Sequence, residues 1–291
     1  MSRFDLTIGD VVARTGVAEP TLRIWERRYG FPEPRRTESG HRRYSAEQAQ
    51  LVERVLVLRQ AGLSLPAAVA RAQTPPDPEE VSLFSSLGDL RPELQARVVR
   101  KPILVALSRA IEDEMLARAE ARVLFACFQR EAFYRSSEAR WRELAAGARV
   151  AVVFADFERA RGRGGDGAAG EAPGADADGP AEVPISRRQP LAREWALIIY
   201  GGRSSISMVA REQASSNVHA AARARRFELI WTVDPEATRA LAATCTVLVR
   251  HALPQLADRT EQQLAIHAAA PATEQARLTT AVMNRVLATL S

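Results

Sequence analysis

Arg23 and Arg27, four residues apart in the stretch TLRIWERRYG (Thr21 to Gly30), share one face of a helix when Leu22 and Trp25 turn inward, with Thr21 beside them and Arg28 adding a third guanidinium. Planar guanidinium groups present paired donors, the geometry that base edges and phosphate oxygens accept. A second group follows in EPRRTESGHRRYS (Glu33 to Ser45). Here Arg35 and Arg36 precede a turn at Gly40, and His41, Arg42, Arg43 and Tyr44 follow it. This reads as a two-stranded wing in which Gly40 supplies a positive φ and the arms carry arginines and a Tyr hydroxyl to a backbone-gripping surface. Double-stranded DNA is the partner that such chemistry serves.

Other chemistries find less support. Cys127 and Cys245 lie 118 positions apart, without the close pairing of zinc or redox motifs, and suit two buried, reduced thiols. His41 and the remaining histidines, His219, His251 and His267, fall in no metal-ligating or cobalamin-binding run, so no metal is expected and the cofactor is unknown. Asp156, Glu212 and Asp234 stand at or near predicted strand ends, where α/β proteins place catalysis, but caps and loop formers stand there too. No nucleophile elbow, P-loop or His-Glu zinc motif occurs, and the chain is not expected to be an enzyme. Gly201 and Gly202 suit a turn. Phe125, Phe128, Phe133, Tyr134 and Trp141 could line a flat-ligand pocket, with core packing the plainer account.

The elements that must position the basic residues are short helices. Thr7 and Asp10 form a capping-box variant for a first helix with Ile8, Val11 and Val12 on its apolar face, ending at Gly16. Pro20 suits the first turn of the second helix. Trp25 reads as core, and Tyr29 fits core or contact. Ser45 and Gln48 propose a capping box for a third helix carried by Leu51, Val55 and Leu58, and Ser64 a cap for a fourth.

Composition sets the wider frame. The chain has 291 residues with 46% hydrophobic content, enough for two domains with real cores. Lys101 is the sole lysine among 40 basic residues. Residues 1–74 hold 12 Arg against 8 acids, so +4 of the net +5 charge sits in the N-terminal quarter, where an anionic partner would bind. No apolar run is long enough to span a membrane and the N-terminus lacks a signal-peptide core, so a soluble, cytoplasmic protein without a membrane partner is expected.

Residues 73–100, opening with the Pro-rich QTPPDPEE, read as a linker and possible dimerisation segment. From 101 to 252 a helix (101–119), a strand (122–129), a helix (134–146), a strand (148–157), a hairpin (194–212) and a strand running into a helix from Asp234 predict a mixed sheet of about five strands. GRGGDGAAGEAPGADADGP, residues 162–180, reads as a disordered loop within it, and 253–291 as a C-terminal helical segment. The fold class is thus α/β overall, with a mainly α N-terminal part.

LTIGDVVARTGV, TLRIWERRYG, GHRRYS and LRQAGLSL, in this order and spacing, resemble the DNA-binding domain of mercury-resistance (MerR) type regulators over residues 6–72. The resemblance implies a winged helix-turn-helix within domain 1–72. It also implies a homodimer on a pseudo-palindromic promoter that it bends and untwists, with RNA polymerase holoenzyme as a further partner. Ala18 departs from the family's usual Ser or Thr cap. LSRAIEDE, FQREAFYRSSEARWRELA, VVFADF, REWALII and RRFELIWTVDP resemble the DICT domain, which implies a sensory role without naming an effector or signalling partner. The expected function is a promoter-binding transcription regulator modulated through its C-terminal domain. The alternative is a protein-interaction adaptor that tethers a signalling partner to DNA.

Overall fold

A computed structural model describes residues 6–37, 39–60, 63–74, 77–118, 120, 122–158, 179–213, 225–266 and 271–290. The chain divides into two units, Met1–Pro75 and Pro76–Ser291.

The N-terminal unit runs α1 (Ile8–Thr15), α2 (Glu19–Tyr29), β1 (Arg35–Arg36), β2 (Arg42–Arg43), α3 (Ala46–Gln60) and α4 (Leu65–Gln73). Both halves of the Thr7–Asp10 capping box form. The Thr7 backbone N–H donates to Asp10 Oδ2 at 2.7 Å and the Asp10 N–H to Thr7 Oγ1 at 3.2 Å; the Thr7 hydroxyl, donating to Asp10 Oδ2 at 2.7 Å, and then the Thr7 N–H hold the Asp10 carboxyl below its ordinary pKa. Gly16 and Gly30 close α1 and α2 in the left-handed region at φ 71° and 64°. The buried face of α3 falls on Ala49, Val52 and Val55, whereas Leu51 and Leu58 are only half-buried. Ser64 holds the N-cap position of α4, yet its side chain makes no capping bond.

The C-terminal unit contains α5 (Leu83–Leu90), β3 (Arg97–Arg100), α6 (Lys101–Ala117), β4 (Arg122–Cys127), α7 (Glu131–Arg135), α8 (Glu138–Ala146), β5 (Val150–Ala155) and β6 (Ala181–Pro184). β7 (Glu194–Gly201), β8 (Ser205–Glu212), β9 (Arg226–Thr232), α9 (Pro235–Ala252), α10 (Pro254–Ala265) and α11 (Ala272–Leu290) complete it. One mixed sheet takes the order β3-β9-β8-β7-β4-β5-β6, parallel across β4, β5 and β6 and antiparallel elsewhere. Every residue of β4 is buried, as expected of a strand covered on both faces. α5, α9 and α10 pack one face with Phe125, Phe154 and Ile230; α6, α8 and α11 pack the other with Leu124, Val153 and Leu229.

Several expectations are corrected. The sheet has seven strands among the described residues, since β3 and β6 join the five expected. Residues 73–100 are not a bare linker, because α5 buries Leu83, Phe84 and Leu87 against the sheet and β3 forms its edge. The helix expected over 134–146 is two helices broken at Ser136–Ser137, where Ser136 Oγ donates to the Phe133 carbonyl at 2.7 Å and competes with the helical ladder. The loop 162–180 lies outside the described residues apart from Gly179 and Pro180. The described part of the segment 253–291 consists mainly of the helices α10 and α11, with α11 packed along α6.

Candidate nucleic-acid interface

Helix α2 is held by its apolar stripe. Leu22 and Trp25 are 1% and 8% exposed, and the Trp25 ring stacks on Phe31 with centroids 6.4 Å apart. The opposite face is therefore committed to solvent, and Arg23, Arg27 and Arg28 project from it. Thr21 is half-buried beside them. Ala18 occupies the N-cap and its side chain accepts no bond, so the helix start relies on the Ala18 carbonyl and on Glu19 in the first turn.

The wing pairs Arg35 with Arg43 and Arg36 with Arg42, antiparallel. Its turn closes through the Gly40 N–H donating to the Thr37 carbonyl at 2.8 Å and the Thr37 N–H donating to the His41 carbonyl at 2.9 Å. Gly40 sits at φ 81°, a conformation that β-carbon-bearing residues resist. Arg35, Arg36 and His41 are exposed and Arg43 half-buried.

Two of the ten residues expected to contact DNA have other work. Tyr44 is 1% exposed and packs in the core. Its backbone bridges Leu6 in both directions, at 2.9 and 3.1 Å, and burial pushes its hydroxyl pKa up. Arg42 folds back onto α2, its Nε donating to Glu26 Oε2 at 2.8 Å and Oε1 at 3.1 Å. The cause is the period of two along a strand: Arg42 and Tyr44 share the inward side and Arg43 points away. Arg42 thus ties the wing to α2.

Glu26 is the residue that sequence reasoning missed. It is 17% exposed at its side chain, anchors Arg42 and stands 3.9 Å from Arg36. Its only sequence signal is an acid inside a run of arginines, and spacing along α2 does not say that it faces the wing. Gln48 departs from its expected role in the same way. Ser45 Oγ accepts from the Gln48 N–H at 3.1 Å, but the Gln48 side chain accepts from the Glu33 N–H at 2.8 Å, joining α3 to the segment before the wing.

What remains is a set of outward guanidinium groups from two elements. Arg23 pairs with Glu19 one turn earlier and keeps a side chain 56% exposed. Arg27, Arg28, Arg35 and Arg43 make no ion pair among the described residues. Unneutralised basic groups on a helix and an adjoining ribbon give a surface for the phosphate backbone, with α2 as the element placed to reach base edges.

The other candidate groups are structurally occupied. Asp156 accepts from the Glu131 N–H at 2.7 Å, Glu212 pairs with Arg225, and Asp234 caps α9 while pairing with Arg91 at 2.6 Å. Phe125 packs on one face of the sheet against Phe154. Phe128, Tyr134 and Trp141 pack together on the other, and Phe133 is 38% exposed. Gly201 ends β7 at the hairpin turn. Cys127 and Cys245 are buried free thiols, and burial raises Cys127 to about 12. No group of three or more potential metal ligands exists among the described residues. No described helix is long and apolar enough to cross a membrane.

Residues 6–73 match the model of MerR HTH family regulatory proteins, and residues 81–213 match DICT, the sensory domain in diguanylate cyclases and two-component systems. The chain is also similar to the HTH-type transcriptional repressor CarA of Myxococcus xanthus, at 39% identity over 103 residues. That match covers 32% of this chain and 36% of the relative's length.

Proposed function

We propose, from the premise that this chain joins a MerR-family regulatory helix-turn-helix to a DICT sensory domain, that it regulates transcription in the cytoplasm as a homodimer on pseudo-palindromic promoter DNA. A signal received by the C-terminal unit shifts that binding, and the machinery acted upon is RNA polymerase holoenzyme. No catalytic step is assigned to the chain. The observation that carries this reading is the basic surface itself: Arg23, Arg27 and Arg28 on α2 and Arg35, His41 and Arg43 on the wing point away from the core, and Arg36, beside Glu26, keeps its side chain 62% exposed. Modulation requires that the effector interact differently with two states of the dimer.

The test is fluorescence anisotropy of the full chain on the DNA upstream of its own coding sequence, against a scrambled duplex, at two salt concentrations, with the stoichiometry from sedimentation. Selective binding of two chains per duplex is the expected result. Equal and steeply salt-sensitive binding to both duplexes would reduce the surface to a phosphate grip. A monomer bound selectively would remove the dimer from the reading.

A further inference from the structure

At the outer edge of the C-terminal sheet, β3 is shorter than its neighbour. Its pairing runs from Arg100↔Arg226 to Arg97↔Leu229, while β9 continues through Ile230 and Trp231 to Thr232. The inner side of that extension is paired to β8, with Val209 opposite Ile230 and Met208 opposite Trp231. Its outer side borders a cleft of about 650 Å³. Leu229 and Trp231 belong to the core on one face and Ile230 to the core on the other, so the cleft wraps the uncovered edge of the sheet.

The cleft has an apolar wall and a polar mouth. Leu107 of α6 and Val286 of α11 are 4% and 6% exposed, and the half-buried Trp231 and Met283 stand beside them. Ile103 of α6 is 40% exposed here. At the mouth, Arg97 is exposed and makes no ion pair among the described residues. Glu93 does not neutralise it, being directed to Arg91 at 3.9 Å.

A second copy of the chain is a poor occupant. Antiparallel self-pairing of β3 would oppose Arg97 of each copy to Arg100 of the other, like charges in direct register. The volume instead lies within the roughly 300–1,000 Å³ of small-molecule sites. An apolar wall with one free guanidinium at its mouth is complementary to an aliphatic or aromatic chain that ends in an anion. Met283, an unbranched thioether, allows the wall to adapt to such a chain.

We propose that this cleft binds a small amphipathic carboxylate, its chain along Leu107, Met283 and Val286 and its head on Arg97, and that it is the effector site of the C-terminal unit. The binding stands by itself; its effect on DNA rests on the regulator reading above.

The experiment titrates the full chain with ω-bromoundecanoate below its critical micelle concentration, following tryptophan fluorescence, because bromine quenches an indole that it touches. ω-Bromoundecanol is the uncharged comparison and an ω-bromoalkyl trimethylammonium the cationic one. The expected result is saturable quenching by the carboxylate that Trp231→Phe abolishes, with roughly ten-fold weaker binding of the alcohol. Arg97→Gln, at an exposed position, brings the carboxylate down to the alcohol's affinity, and Met283→Trp fills the cleft and prevents binding of all three. Equal affinity for carboxylate and alcohol, quenching that survives Trp231→Phe, or an Arg97→Gln variant that binds like the parent overturns the site. Anisotropy on promoter DNA with and without the carboxylate separates the two claims. Saturable binding that leaves DNA affinity unchanged refutes the effector role alone, and intact DNA binding without quenching refutes the cleft alone.

Discussion

The two units differ in where their arginines meet acids. In the C-terminal unit several arginines are drawn into acid clusters, while Arg97 at the sheet edge makes no ion pair among the described residues. Arg135 reaches Glu131, Glu138 and Glu182 at 2.9, 3.3 and 2.6 Å and lies over the rings of Tyr134 and Phe157; Arg140 holds Glu112 and Asp113; Arg118 holds Glu114. In the N-terminal unit Arg42 is fully engaged, with Glu26, while Arg27, Arg28, Arg35 and Arg43 stay unpaired among the described residues. A guanidinium that has found its carboxylate inside the fold adds to stability. One left facing solvent adds nothing to the fold and is available to a polyanion. Under the proposed reading the unpaired arginines of α2 and the wing form the DNA surface, in the quarter of the chain that carries +4 of the net charge.

The largest test of that contrast is Arg135→Ala. It leaves Glu182, 8% exposed, without its cation beside Glu131, while Glu138 keeps Arg142 at 2.7 Å. We expect a loss of about 2–3 kcal/mol in urea denaturation, below the cost of breaking a fully buried pair because Arg135 is partly solvated, with DNA affinity of the folded protein unchanged. A change under about 0.5 kcal/mol would erase the distinction between the units.

Arg27→Ala and Arg23→Ala are the mirror experiment. Each is expected to weaken specific DNA binding by about 1–3 kcal/mol if it reads a base, with melting almost unchanged. Arg43→Ala, on the wing, is expected to weaken all duplexes alike and to lower the salt slope by about 1. Affinity losses that track losses in melting temperature would make these arginines structural after all.

Ala18→Ser sharpens the picture without touching charge. The N-cap backbone is already extended, at φ −59° and ψ 140°, so a hydroxyl can reach the next turn. A gain of about 0.5–1 kcal/mol in the N-terminal unit is expected by thermal melting.

The smallest effect concerns Glu194, an acid that stabilises the C-terminal unit without an arginine in contact. It is 1% exposed and accepts from the Leu83 and Phe84 N–H groups at 2.8 and 3.3 Å and from Ser82 Oγ at 2.5 Å, closing the start of α5. Burial pushes its carboxyl up against the pull of those bonds and of Arg211. The folded state therefore holds this proton more tightly than the unfolded chain, and its contribution rises as pH falls through the folded pKa and is complete below the unfolded one. Glu194→Gln is expected to flatten the pH dependence of stability just above the ordinary carboxylate range by less than about 1 kcal/mol. An unaltered slope in urea melts across that range would show that Glu194 does not titrate there.

The sequence by itself determined the local elements and the sites of charge. Thr7 with Asp10, Pro20, Gly16, Gly40 and Asp234 with Pro235 act within one turn of the backbone, so their capping and turning roles follow from neighbours a few residues away. The outward face of α2 was legible for the same reason, since Leu22 and Trp25 fix the helix's rotation. Only the tertiary structure decided which arginine is spent and which is free. Glu26 meets Arg42 across 16 positions, Arg135 meets Glu182 across 47, and Tyr44 is drawn into the core by its bridge to Leu6. The same holds for β3 and β6, four-residue strands whose identity comes from the neighbours they pair with, and for the cleft that opens because β3 ends before β9 does. Periodicity reports what a residue does to its own helix or strand; partners brought from far along the chain leave no period to read.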